Sequence, residues 1–146
     1  MSLPSNRLVD RDHSALEGVR VLVVEDTWHV AKALKSALEK VGMVVSGPAA
    51  TTAEARRIIA EHVPRVAVVD VNLKREMSYD LIEELHDKGI SVVVISGYAV
   101  PPVSADKVAV ILQKPFSGSE LLAALQGVVA QANRDTETGR RPILTD

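Results

Sequence analysis

Short runs of branched apolar residues alternate along this chain with segments whose apolar positions recur every three or four residues. Val19, Val21, Leu22, Val23 and Val24 make the first run, which ends in Glu25 and Asp26. Val30, Leu34, Leu38 and Val41 follow at helical spacing, and Gly42 marks the stop. Met43, Val44, Val45 and Ser46 read as a short strand broken by Gly47 and Pro48. Thr51 and Glu54 stand at capping-box spacing and open a helix to about His62, with Ala55, Ile58 and Ile59 inward. Beyond Pro64, the run from Val66 to Val69 ends in Asp70, and Leu81, Ile82 and Leu85 mark a third helix stopped near Gly89. Val92 to Ile95 run into Ser96 and Gly97, and Val108 to Leu112 run through Gln113 into Lys114 and Pro115. Between those two runs, Pro101 and Pro102 leave space only for a short or irregular fourth helix, because proline disfavours helix at the preceding residue. Ser117 and Glu120 repeat the capping spacing, and Leu121, Leu122, Leu125, Val128 and Val129 give the last helix its inward face, to an end near Ala132.

Strands made of continuous valine and isoleucine are covered on both faces, the situation of a parallel sheet with helices on each side. The expected fold is therefore α/β, a doubly wound five-stranded parallel sheet. Residues 18–132 form the expected domain. Residues 1–17 and 133–146 are polar and are expected to be tails. The last helix leaves too few residues for a further module, so a stand-alone domain is expected.

Composition narrows the chemistry. The chain has 146 residues, 47% of them hydrophobic and 25% charged, ordinary for a soluble domain with one core. A net charge of −2 gives no basic surface for nucleic acid. No apolar run reaches the roughly 18 residues of a membrane helix, so no membrane role and a cytoplasmic location are expected. With no cysteine, disulfides and thiolate chemistry are excluded.

Ligands of doubly wound sheets bind outside the carboxyl ends of the strands. Those ends carry Glu25, Asp26, Asp70, Ser96 and Lys114. Asp26 and Asp70 offer hard oxygen ligands for a divalent cation such as magnesium, which takes one or two carboxylates and keeps several waters. A strand-end carboxylate can also attack phosphorus, with a lysine and a metal offsetting the phosphoryl charge. Singly, each residue has an ordinary reading: Asp26 as a helix cap, Lys114 as a surface lysine, Ser96 as a turn residue. Together at four strand ends they read as one site. Crowded carboxylates further imply that Asp70→Asn relieves like-charge repulsion. His29, His62 and His86 fall at outward helical positions, and Trp28, the only tryptophan and two residues past Asp26, reads as cover for core near the site.

The set resembles the receiver domains of two-component response regulators from Val19 to about Ala132. It rests on Glu25 and Asp26 after strand one, Asp70 after strand three, Ser96 and Gly97 after strand four, and Lys114, Pro115 and Phe116 after strand five. The resemblance implies a flavodoxin-like strand order, 2-1-3-4-5. It implies phosphorylation of Asp70 by a phosphohistidine on a sensor histidine kinase or histidine phosphotransfer protein, with no enzymatic turnover beyond assisting that step and its reversal. Magnesium would be held by Asp26, Asp70 and the main-chain carbonyl of Asn72, with Glu25 in support through water. Lys114 and Ser96 would bind the phosphoryl group, and a homodimer through the last helix is a further implication.

Three positions depart from the family pattern. Lys74 stands where proline is usual, Ser78 where glycine is common, and Ile111 where the switch aromatic is usual. Ser96 and Tyr98 become the switch candidates. The Ser96-Gly97-Tyr98 end is similar to stand-alone receivers that accompany alphaproteobacterial kinases of the HWE type. Two alternatives stay open. A small phosphatase of the haloacid dehalogenase type would use a similar aspartate, but it normally has a second acid at the position of Asn72. The other is an inactive receiver-like scaffold.

Overall fold

A computed structural model of the chain describes residues 13–97 and 105–138. Its elements, in chain order, are β1 (Arg20–Val24), α1 (Trp28–Lys40), β2 (Val44–Ala49), α2 (Thr52–Glu61), β3 (Val66–Asp70), β4 (Asn72–Leu73), β5 (Glu76–Met77), α3 (Tyr79–Asp87), β6 (Ser91–Ser96), β7 (Val110–Gln113) and α4 (Gly118–Thr138). Five strands form one parallel sheet in the order β2-β1-β3-β6-β7, which is 2-1-3-4-5 once the small β4-β5 hairpin is set aside.

The alternation of side chains along each strand divides the core in two. On one face Val21, Val23, Val68, Val93 and Ile95 meet Leu34 and Leu38 of α1 and Leu121, Leu125 and Val128 of α4. On the other, Leu22, Val24, Ala67, Val69 and Val94 meet Ala55 and Ile59 of α2 and Leu81, Ile82 and Leu85 of α3. All five residues of β3 are buried, as expected for the central strand that carries Asp70 to the sheet edge. The capping box at Ser117 forms in full: Ser117 Oγ accepts from the Glu120 amide at 3.1 Å and Glu120 Oε1 accepts from the Ser117 amide at 2.7 Å. At the other, Thr51 Oγ1 accepts from the Glu54 amide at 3.1 Å, but Glu54 Oε1 reaches one residue further back and accepts from the Ala50 amide at 3.0 Å.

Several elements differ from the sequence reading. β2 is not broken at Gly47 and Pro48 but runs through them to Ala49, with an irregular register against β1 between Leu22 and Val24. Gly47 makes this possible: its φ is +91°, and a Cβ there would lie 2.8 Å from the Ala49 nitrogen and 2.9 Å from the Val23 oxygen. Leu16, expected in a tail, is fully buried in the core beside Val19. α4 passes Ala132 and reaches Thr138. Its polar end is held by side-chain bonds within the helix, from Gln131 to Asp135 and from Arg134 to Gln131, and by Arg65, which donates to Asn133 Oδ1 at 2.8 Å. Between β6 and β7 the described residues contain one 3-10 turn, Ala105–Lys107, in keeping with an irregular fourth helix. Tyr98, Pro101 and Pro102 lie outside the described residues.

Candidate functional site at the strand tips

Register determines which side chains meet. Val24 of β1 pairs with Val69 of β3, and Asp70 pairs with Ile95 of β6, one residue before Ser96. Glu25, Asp70 and Ser96 therefore emerge side by side, and all three are buried. β7 continues into Lys114, whose amide donates to the Ser96 carbonyl at 2.8 Å. That turn aims the lysine across β6, and Lys114 Nζ meets Asp70 Oδ2 at 2.7 Å. Asp70 Oδ1 accepts from the Asn72 amide at 2.9 Å.

Glu25 sits deepest. Its amide donates to the Ala49 carbonyl at 2.9 Å, so the irregular end of β2 fixes its place. Oε2 accepts from the Thr27 amide at 3.0 Å, whereas Oε1 is buried with no hydrogen-bond partner. Burial pushes the carboxyl up to about 7, the Asp70 carboxylate adds to that, and the Thr27 hydrogen bond and Lys114 charge oppose it. For Lys114, partial burial works against the charge, but the hydrogen bond and charge of Asp70 outweigh it and raise its value.

The Glu25 shift has a sign in stability. Native Glu25 holds its proton more tightly than the unfolded chain does. Its contribution is fully present below the ordinary value of 4.5 and is lost as pH rises through about 7. Urea unfolding of the metal-free protein is expected to show a loss on the order of 2 kcal/mol between about pH 5 and pH 7.5. Glu25→Gln should flatten that slope. A flat profile in the unaltered protein, or an unchanged slope in the variant, would contradict the assignment.

Asp26 stands at the rim. Its Oδ2 accepts from the amide of Lys74, at the tip of the β4-β5 hairpin. The hairpin, which the sequence reading missed, is tied down at three places. Besides the Lys74 amide, Glu76 caps α2 by accepting from the Thr52 amide at 2.9 Å and the Thr52 hydroxyl at 2.8 Å. These two bonds hold the Glu76 carboxyl below its ordinary value. At its return end, Ser78 is fully buried and donates its hydroxyl to the Asp70 carbonyl at 2.7 Å. Its place where the family pattern commonly has glycine is the one sequence signal that points to it.

Glu25, Asp26, Asp70, Asn72, Ser96 and Lys114 thus lie at the carboxyl edge of the sheet, as expected. Trp28 does not cover core near the site. It is 73% exposed, with Lys32 Nζ 4.9 Å from its ring centre. The oxygen donors suit a hard divalent cation: the buried, unpartnered Glu25 Oε1 and the carboxylates of Asp26 and Asp70. Among the described residues no three His, Cys, Asp or Glu side chains converge closely enough to hold a metal by themselves. The expected ligand set of two carboxylates, one carbonyl and waters does not require such a cage.

A doubly wound sheet with acids, a buried hydroxyl and a lysine at its strand tips defines the class of the molecule. Residues 21–126 match the family described as response regulator receiver domain, and the chain belongs to that family. It is thus a receiver of two-component signalling, a family that binds a divalent metal at its phosphorylation site and works with histidine kinases or phosphotransfer proteins. Similar solved structures include the response regulator PhyR from Brucella abortus, 21% identical with a TM-score of 0.73, covering 96% of this chain and 61% of that one. The present chain therefore spans less than two thirds of that relative. A CheY-like receiver domain protein from Methanospirillum hungatei JF-1 is 22% identical with a TM-score of 0.71, covering 82% of this chain and 99% of its own. A response regulator from Burkholderia pseudomallei, solved with a phosphorylated aspartic acid, calcium ion and citrate, is 25% identical with a TM-score of 0.67, covering 81% of this chain and 72% of its own. No curated protein matches. Among the described residues no helix is long and apolar enough to cross a membrane.

Proposed function

We propose that Asp70 accepts a phosphoryl group from a phosphohistidine of a sensor histidine kinase or histidine phosphotransfer protein, and that the charged protein signals through protein contact in the cytoplasm. The observation that carries this reading is the Lys114–Asp70 pair, 2.7 Å apart at the tip of the central strand beside buried Glu25. A carboxylate paired with the Lys114 ammonium, as Asp70 is, needs no general base. One Asp70 oxygen attacks phosphorus, a new O–P bond forms, and the N–P bond of the donor breaks. The electron pair of that bond returns to the imidazole nitrogen, which takes a proton from solvent. Lys114 then faces the acyl phosphate, and its ammonium offsets the charge on the phosphoryl oxygens. Ser96, buried at the end of β6, supplies the nearby hydroxyl.

Asp26, Asp70 and the Asn72 carbonyl would hold magnesium, with Glu25 in support through water. The bound cation would supply charge neutralisation at the same phosphoryl oxygens. Because binding favours ionised carboxylates, the apparent magnesium affinity should rise with pH through about 7 as Glu25 loses its proton. Titration with magnesium, followed by calorimetry and by Trp28 fluorescence, checks this. Asp26→Ala is expected to weaken binding by at least about tenfold. Equal affinities in the two proteins would remove Asp26 from the site. A covalent phosphate adds roughly −1.5 to −2 charges where Glu25 already lacks one hydrogen bond, enough to bias a two-state element. Ser96 and Tyr98 are the proposed element, and a homodimer is one form the protein contact could take.

A further inference from the structure

We infer that Ser78 is a positioning residue for the phosphoryl acceptor: its hydroxyl locks the main chain of Asp70 and thereby sets the angle between the Asp70 carboxylate and Asn72. This deepens the functional reading above and rests on it.

Three observations carry the inference. Ser78 is fully buried, so its hydroxyl has no solvent to turn to. Its Oγ lies 2.7 Å from the Asp70 carbonyl and 3.2 Å from the Val71 carbonyl, so a single proton is directed mainly at Asp70 and secondarily at its neighbour. The Ser78 amide also donates to the Val71 carbonyl at 3.0 Å, while the Val71 amide donates to Ile95 at 3.0 Å. The peptide unit after Asp70 is thus gripped by β6 on one side and by Ser78 on the other.

The consequence concerns Asn72. Its amide donates to Asp70 Oδ1 at 2.9 Å, so it fixes the rotation of the acceptor carboxylate and leaves Oδ2 to Lys114. Residues 70–72 are one short link, and without the hydroxyl the Asp70 carbonyl loses its side-chain anchor, leaving only the main-chain bonds of Val71 to Ile95 and Ser78 to limit its tilt. A misplacement near 1 Å at a reacting group costs on the order of a hundredfold in rate, far more than one hydrogen bond contributes to folding. Ser78 also starts the first turn of α3, where its carbonyl accepts from the Ile82 amide at 3.0 Å. The same residue therefore ties the acceptor strand to a helix packed in the core.

Two measurements on Ser78→Ala and Ser78→Thr, set beside the unaltered chain, test this. In the metal-free proteins, amide exchange is followed at Asn72 and at Val68 in the middle of β3. Ser78→Ala is expected to speed exchange at Asn72 at least about tenfold and to leave Val68 within about twofold. Ser78→Thr, which keeps the hydroxyl, should stay close to the original at both positions. With saturating magnesium and acetyl phosphate, the first-order rate of acyl phosphate formation per folded molecule should fall at least about tenfold in Ser78→Ala and recover in Ser78→Thr. Equal acceleration at Asn72 and Val68 would make the serine merely structural, and an unchanged rate in Ser78→Ala would overturn the inference. If Ser78→Thr reacts as slowly as Ser78→Ala while Asn72 stays protected, the hydroxyl is not what matters and the inference falls. Failure of the unaltered chain to take up phosphate would overturn the functional reading, and this inference with it.

Discussion

Replacing Asp70 with Asn is expected to abolish covalent phosphoryl uptake from any donor while leaving the sheet intact. The amide has no anionic oxygen to attack phosphorus, and Glu25, the nearest buried acid, is pushed up to about 7 by burial and already gives one oxygen to the Thr27 amide. The loss should be complete rather than graded, because no described carboxylate other than Asp70 is both buried at the tip of the central strand and paired with Lys114. The effect on stability is a balance. Like-charge repulsion with Glu25 disappears, as the sequence implies, but so does the ion pair with a lysine that is 42% exposed. Half-exposed pairs contribute about 1 kcal/mol or less, so the net change should lie within about 1 kcal/mol of zero. Residual labelling of Asp70→Asn, read by mass after exposure to a phosphodonor, would move the acceptor elsewhere.

Gly47→Ala should produce the largest loss of stability among the single changes considered. The residue sits at φ +91°, and its new Cβ would press on two backbone atoms at 2.8 and 2.9 Å, neither of which can swing aside as a side chain could. Strain and clash together predict a cost of about 3 kcal/mol in urea unfolding. The change should reach the site as well. Ala49, two residues on, holds the Glu25 amide, so the slope of stability against pH should alter along with its level. A variant as stable as the original would mean that β2 can follow another path past β1.

Much of this architecture is legible in the sequence because its signals are local. Continuous valine runs announce buried strands, Thr51 with Glu54 and Ser117 with Glu120 announce helix starts, and the acids fall where such strands end. The β4-β5 hairpin was not legible. Its strands have two residues each, too few for any periodicity, and besides the nearby bond of Ser78 to Asp70 it is held by Lys74 on Asp26 and Glu76 on Thr52, contacts between positions far apart in the chain. The extension of α4 escaped notice for a related reason. Residues 133–138 are polar, and polarity resembles a tail until the partner on Arg65 is seen. Trp28 misleads in the opposite direction, since a single tryptophan near a site suggests cover, whereas its ring faces solvent beside Lys32. Glu25 was assigned a supporting role from its place beside Asp26. Its burial, with one oxygen unpartnered, depends on how tightly β2 closes over β1, which no local pattern encodes.

The central claim is that the strand-tip acids form one phosphoryl-accepting site with Asp70 as the acceptor. Incubation of the unaltered protein with acetyl phosphate and magnesium, followed by intact mass measurement and borohydride reduction of the acyl phosphate, tests it most directly. The mass should rise by one phosphoryl group, a gain lost when magnesium is chelated beforehand, and the reduced residue should map to Asp70. An unchanged mass, or a label mapping to any other residue, would contradict it.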